Sequence, residues 1–353
     1  MVPGTFGAAV AAIPDRLGGE YPRGAGKSTG SANLRATSHS INRYAREARK
    51  APRPHLFSVT SAQIAMLSVV IVNWNTRDLL DLCLGSIQEH SPKIPFEVIV
   101  VDNGSGDGSA AMVEQKHPWA KLLSFTENLG YAEGNNRGLG VATGEWILLL
   151  NPDTEFMDAS LDHSVRWMNE HPGVGAVGAQ LIGFDGQIQE SVRGFPTLVG
   201  IFGNWTRLDR VWPNGPLGRY RVPRFDYQKT QECDQPMGTF LLFRRSSLEE
   251  LGPLEKAFDS DFPIFFNEVD LLKRLNERGW IIMYEPSIKI RHLGGAGTRQ
   301  VRKNMIWESH RSLVRYFRKH LRGPQRLLLP LVTALAWTGA FIRARGYHAG
   351  FRT

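Results

Sequence analysis

From residue 67 onward, apolar residues gather into short blocks with few polar interruptions, separated by stretches where they recur every three or four positions. The blocks at 67–72, 96–101, 121–125 and 146–150 predict strands. The stretches at 76–89, 108–116 and 131–141 predict helices; Leu79, Leu80, Leu82, Cys83 and Ile87 make the stripe of the first. Blocks without polar alternation suit strands covered on both faces. Strands that alternate with helices imply an α/β fold, with a mostly parallel sheet and right-handed crossovers.

The fourth block ends abruptly in Asn151, Pro152 and Asp153. Pro152 has no N–H to give a ladder, so the strand stops there. Asp153 then falls just past the carboxyl end of a central strand, where open α/β sheets bind ligands. A carboxylate beside an amide oxygen suits a hard divalent cation that also holds phosphate oxygens. The competing reading is a turn in which Asp153 caps a helix over 157–170.

The second half is less regular. Strands are expected at 174–182 and 237–244, with a tight turn at 184–186 and a return strand at 187–192. Residues 194–232, rich in Gly, Pro and aromatics, read as a long loop region that shapes a binding site. A short helix over 246–251 would be capped by Ser246 or Ser247. Residues 262–266 lead into a helix at 267–278, with Gly279 at its C′ position. Strands at 280–284 and 287–291, a Gly-rich turn at 292–297 and a basic amphipathic helix over 299–321 follow. Residues 327–342 are mostly apolar and bracketed by Arg326 and Arg343. At 16 residues this run is shorter than the roughly 20 a membrane span needs, so it suits an interfacial or re-entrant segment. A core helix is the competing reading.

Charge sharpens this division. The 353-residue chain carries net charge +8, but residues 1–65 hold 9 Lys/Arg against 3 Asp/Glu, residues 299–353 hold 12 against 1, and residues 66–298 hold 21 against 30. An acidic middle counts against nucleic-acid binding, and basic ends suit an anionic surface. Residues 1–65 form a disordered basic tail by composition, without the apolar h-region of a secretory signal. Translation from Met66 would omit that tail. Two cysteines, Cys83 and Cys233, give neither a disulfide framework nor a metal spacing and suit buried thiols in a reducing compartment. The expected division is a tail (1–65), a catalytic domain (66–298, nucleotide half 66–155, acceptor half 156–298) and a helical C-terminal region (299–353).

The ordered motifs S-V-V-I-V-N-W-N, V-D-N-G-S-G-D-G-S, E-N-L-G-Y-A-E-G-N-N-R-G, L-L-L-N-P-D-T, M-G-T-F-L-L-F-R-R, F-F-N-E-V-D-L-L and I-R-H-L-G-G span about residues 66–320. In that order and spacing the chain resembles the inverting family-2 glycosyltransferases of the GT-A fold, in particular their rhamnosyltransferase-like branch. The resemblance implies a Rossmann-like nucleotide-diphospho-sugar transferase domain; the ends lie outside it, and the helical, membrane-seeking character of the C-terminal extension is read from its own composition. It implies that Asp102 accepts from a pyrimidine N3–H and that Asn73 and Asn75 line the same crevice. Asn128, Gly130, Asn135 and Asn136 match the family's nucleotide element, with Arg137 reaching phosphate. Asn151 and Asp153 occupy the D-x-D positions that hold Mg2+ or Mn2+, and His292 completes that site. Glu268 matches the general base and Asp270 the last acid of the E-D-x-D motif, while Asn267 replaces its first acid. Gly238 and Thr239 fall on the acceptor side.

What this implies is inverting transfer from dTDP-rhamnose or a UDP-sugar to a lipid-linked or cell-envelope glycan. The enzyme would be peripheral on the cytoplasmic face of the cell membrane. Two other classes stay open. A nucleotidyltransferase would want a Gly-rich basic loop after the first strand, where residues 73–78 offer only Arg77. A non-catalytic nucleotide-sugar-binding or scaffold module is favoured by the amides Asn151 and Asn267 standing where acids are expected.

Overall fold

The computed structural model describes residues 67–294 and 302–345. The tail, Met66, residues 295–297 of the Gly-rich turn and the last eight residues of the C-terminal region lie outside the described residues.

The nucleotide half runs β1 (Leu67–Asn73), α1 (Arg77–Glu89), β2 (Phe96–Asn103), α2 (Ser109–Lys116), β3 (Lys121–Phe125), α3 (Tyr131–Leu139) and β4 (Trp146–Leu150). After it come β5 (Thr154–Phe156), α4 (Ser160–Glu170), β6 (Val174–Ile182), β7 (Val192–Arg193), α5 (Leu198–Thr206), β8 (Gln231–Glu232), β9 (Gln235–Pro236) and β10 (Phe240–Arg244). The chain continues through α6 (Arg245–Glu249), α7 (Asn267–Glu277), β11 (Ile281–His292), α8 (Arg302–His320) and α9 (Leu329–Arg345).

The described residues form a nine-stranded sheet in the order β3-β2-β1-β4-β10-β6-β11-β5, with β8 also paired to β11. Strands β3, β2, β1 and β4 are parallel, as are β6 and β11, while β10 runs antiparallel between β4 and β6. The blocks of β1 and β4 are buried on both faces with a period of two, while β3, at the sheet edge, is partly exposed. Leu67, Val69 and Ile71 of β1 enter one core with Trp146, Leu148 and Leu150 of β4. Val70, Val72, Ile147 and Leu149 enter the other. Helices α1 and α4 cover the first core, and α3 and α7 cover the second.

Several expectations change. Asp153 caps no helix: Thr154–Phe156 pairs antiparallel with β11, and the helix begins at Ser160. The return strand at 187–192 reduces to a single bridge, Ile182 to Ile188, because the chain leaves to pair β7 with β9. Residues 194–232 are not all loop, since Thr197 caps α5 by accepting from Gly200 N–H at 3.0 Å. The expected strand at 237–244 begins at Phe240. Neither Ser246 nor Ser247 caps α6; Ser247 Oγ donates instead to the Arg244 carbonyl at 2.7 Å. The two strands expected at 280–291 are one, β11, with a register shift between Glu285 and Lys289, where Pro286 offers no N–H. The C-terminal apolar segment is longer than the run of 16. A 3-10 turn joins α9, so Gly323–Arg345 is a 23-residue helical stretch, long and apolar enough to cross a membrane by length and composition.

Candidate active site

The carboxyl ends of β1, β2 and β4 meet the start of α7 and one face of α8 around a cavity of about 800 Å³. Asn151 and Asp153 line it, as do Asn128, Gly130, Gly238, Thr239, Glu268 and His292. Residues 115 positions apart thus share one wall because β4 ends beside the loop that starts α7.

Asp153 is buried and faces His292, whose Nε2 lies 3.5 Å from the carboxylate Oδ1. The orientation of that ring is decided by Gln189. The Gln189 amide Nε2 donates to the His292 carbonyl at 2.9 Å, so its Oε1 faces Nδ1 at 2.8 Å and accepts from it. In the tautomer with its proton on Nδ1, His292 turns the lone pair of Nε2 toward Asp153 and toward the Thr239 hydroxyl at 3.4 Å. A lone pair and a carboxylate turned to one point suit a cation between them, and an outer partner that fixes the tautomer is the usual support of a ligating histidine. Asn151 stands beside them, its Oδ1 accepting from the Tyr131 hydroxyl at 3.1 Å. Burial, and next the charge of Glu268, push the Tyr131 phenol up, so it remains a donor. Among the described residues no three acids, histidines or cysteines cluster as a metal site. Asp153 and His292 would therefore hold a metal only together with ligand oxygens.

Glu268 sits in the first turn of α7, half-buried, and burial pushes its carboxyl up. Gly238 leaves room for it: a Cβ there would stand 3.3 Å from Glu268 Cγ. Asn267 is 1 % exposed and lines the same cavity. Its Oδ1 accepts from Glu268 N–H at 2.8 Å, while its Nδ2 has no hydrogen-bond partner. Its site role was not anticipated; the only sequence signal was an amide where an acid was expected.

Other expected residues are placed elsewhere. Asp102 is buried behind the cavity wall, accepting from Asn73 Nδ2 at 3.0 Å and Ser105 N–H at 3.2 Å. Asn73 is wholly buried; its remaining oxygen accepts from Thr76 at 2.6 Å, so its side chain is committed to this network and not to a ligand. Asn75 accepts from Gly106 N–H at 2.8 Å. Their neighbours Trp74 and Asn103, neither expected, reach the cavity. Asn103 holds the loop before α3 through Asn128 Oδ1 (3.0 Å) and Leu129 N–H (3.0 Å).

Asn135, Asn136 and Arg137 are not in the cavity wall. Asn135 donates to the Tyr131 carbonyl at 2.8 Å, Asn136 bonds both backbone groups of Phe258, and Arg137 pairs with Glu133 at 2.8 Å. The period of α3 turns Asn136 and Arg137 toward a separate surface cavity. Asp270 also points away. Burial alone would raise its carboxyl, but His320, Arg274 and Lys319 at 2.7–2.8 Å outweigh it and hold it down to about 2. It ties α8 to α7 in place of touching the cavity.

The α8 contribution was legible only as an amphipathic helix. Asn304, Met305, Trp307, Glu308 and Arg311 form the cavity's outer wall.

Residues 68–252 match the model of glycosyl transferase family 2. The chain belongs to that family. The transferase is 30% identical over 246 residues to the N-acetylglucosaminyl-diphospho-decaprenol L-rhamnosyltransferase of Mycobacterium tuberculosis, covering 64% of this chain and 76% of that one. It is 30% identical over 108 residues to the GalNAc(5)-diNAcBac-PP-undecaprenol beta-1,3-glucosyltransferase of Campylobacter jejuni, over 30% of this chain and 35% of that one. Its fold is similar to that of the mannosyltransferase PcManGT from Pyrobaculum calidifontis, solved with GDP-Man and Mn2+. The TM-score is 0.51 at 21% identity, covering 90% of this chain and 85% of that chain. The transferase thus has the GT-A fold and the rhamnosyltransferase-like character that its motifs implied.

Proposed function

We propose that this transferase moves a sugar, with inversion, from dTDP-rhamnose or a UDP-sugar to a hydroxyl of a lipid-linked or cell-envelope glycan. The observation that carries the reading is the single cavity walled by both Asp153 with His292 and Glu268. A leaving diphosphate and an incoming hydroxyl need those two chemistries within one ligand's length.

Glu268 takes the acceptor proton as the hydroxyl oxygen attacks the anomeric carbon. The bond from that carbon to the diphosphate oxygen breaks on the opposite face, and its electron pair leaves with the diphosphate. One displacement inverts the centre, and no covalent sugar–protein bond forms. A carboxyl raised by burial is the stronger base for this step. Asp153, His292 and the Asn151 amide would hold Mg2+ or Mn2+, which neutralises charge on the departing diphosphate. Asp102, kept in place by Asn73 and Ser105, stands behind the base end of the cavity, with Trp74 and Asn103 in front. Gly238 and Thr239 border the acceptor side. The rhamnosyl donor and the lipid-diphosphate acceptor are supported by the names of the two relatives. The exposed apolar side chains of α9 support contact with a membrane, which this reading places at the cytoplasmic face.

The test is a panel of nucleotide sugars assayed for nucleotide release on membrane-extract acceptors, wild type against Glu268→Gln. The variant keeps nucleotide affinity and loses transfer by at least ~10²-fold, the scale of a general base. Full activity in the variant would remove Glu268 from the role.

A further inference from the structure

We propose that residues 198–212 form a membrane-docking face that works with α9 to seat the cavity on an anionic bilayer. This rests on the reading of the enzyme as peripheral on a membrane and adds a second contact that the C-terminal segment does not supply.

The segment exposes apolar side chains at nearly every third position. Phe202, Trp205 and Leu208 are followed by Val211, 80 % exposed, and Trp212, 60 % exposed. Soluble surfaces seldom gather so many large apolar groups without a partner. Its inward side explains why they turn out. Leu198 and Ile201 pack into a cluster with Leu313 and Phe317 of α8, and that cluster also receives Leu329 and Val332 of α9. Two segments more than 110 residues apart thus stand on one foundation, each with its apolar remainder outward. The foundation includes Val269, next to Glu268 on α7, so this surface is braced directly against the catalytic helix.

Charge selects the occupant. Residues 198–224 hold five Arg and one acid, Asp209, which is buried with Arg221 Nε 3.9 Å away. Arg207 and Arg210 are exposed among the apolar groups, as are Arg322, Arg326, Arg343 and Arg345 around α9. A second copy of this chain would bring arginines against arginines with few acids to answer them. Anionic headgroups answer them, and Trp, Phe and Leu among arginines are the composition of an interfacial contact.

The full-length protein is floated with vesicles of phosphatidylglycerol and phosphatidylcholine, or of phosphatidylcholine alone. Wild type floats with the anionic vesicles and is released by high salt. Val211→Asp/Trp212→Asp, which alters only exposed side chains, floats at least about tenfold less. Arg207→Glu/Arg210→Glu touches no core and gives a second, independent loss. Affinity for dTDP or UDP and the melting temperature stay at wild-type values in both. Unchanged flotation of the arginine variant, or equal flotation of wild type on neutral vesicles, overturns the proposal. So does a dimer in lipid-free solution that the Val211/Trp212 variant dissociates. Loss of nucleotide affinity in wild type itself would instead strike the transferase reading.

Discussion

Nε2 of His292 lies 3.5 Å from Oδ1 of Asp153, while Nδ1 of the same ring is held at 2.8 Å by Gln189. The two contacts work in series. Gln189 is itself oriented by the backbone carbonyl of His292, so the histidine fixes the amide that fixes its tautomer.

Gln189→Leu removes that partner and leaves the ring free to protonate at Nε2. Apparent affinity for Mn2+ or Mg2+ falls by roughly 10- to 100-fold, the usual cost of an outer-shell partner. The check is the metal concentration that half-saturates nucleotide release, after chelator treatment. An unchanged half-saturation would exclude the ring as a ligand.

Burial raises the Glu268 carboxyl, and the base acts ionised. The acid limb of the kcat/KM profile therefore lies above the ordinary value of 4.5. For stability the sign is opposite. A folded-state pKa above the unfolded one means the folded protein binds the proton more tightly. That contribution favours folding at acid pH and is lost as pH rises through the raised pKa. Glu268→Gln thus melts no lower than wild type at pH 7 while losing transfer. Asn267→Asp sets a like charge beside Glu268, and the acid limb moves higher still.

Asp270 is pinned by Arg274, Lys319 and the His320 ring, and its depressed pKa of about 2 is a stability statement. Its contribution is present in full above the unfolded value near 3.8 and is lost as pH falls toward 2. Asp270→Asn removes the buried carboxylate from Arg274 and Lys319, which are partly exposed, and Lys319 keeps its pair with Asp259. The cost is therefore about 1–3 kcal/mol, at or below the range for breaking a buried pair. The denaturant midpoint at neutral pH reads this loss. Because α8 forms the outer wall, acceptor KM should rise before nucleotide affinity changes. A wild-type midpoint would show that α8 is held by its apolar cluster alone.

Gly134 and Gly138 flank Asn135, Asn136 and Arg137 on α3 and face the sheet. A Cβ on Gly134 would stand 2.8 Å from Val72 Cγ1, and one on Gly138 would overlap Val70. They let α3 lie close on β1. Gly138→Ala costs about 1–3 kcal/mol through overpacking, measured by thermal melting, with KM for the nucleotide sugar little changed in the folded fraction.

Much of the fold was written in local pattern. Largely apolar blocks marked β1, β2, β4 and β6 because a strand covered on both faces admits a polar residue only where it is hydrogen-bonded, as Ser68 and Gln180 are. Asn151-Pro152-Asp153 marked the end of β4, since proline cannot continue a ladder. The direction of β10 was not legible, because an apolar block looks the same whichever way it runs. Nor was the short β5: three residues gain strand character only from their partner β11.

The chain's own order of residues determined which groups could do chemistry and that Asp153 would stand at a strand end. Only tertiary packing decided which of them meet. Asp153, His292 and Glu268 face one cavity because β4 and β11 end there and α7 begins there. Asp270, two residues from Glu268, is turned by the helical period into a buried ion cluster. Asn136 and Arg137 are carried by α3 to another face. A side chain's type is local, but its direction depends on the period of its element and the side on which that element packs.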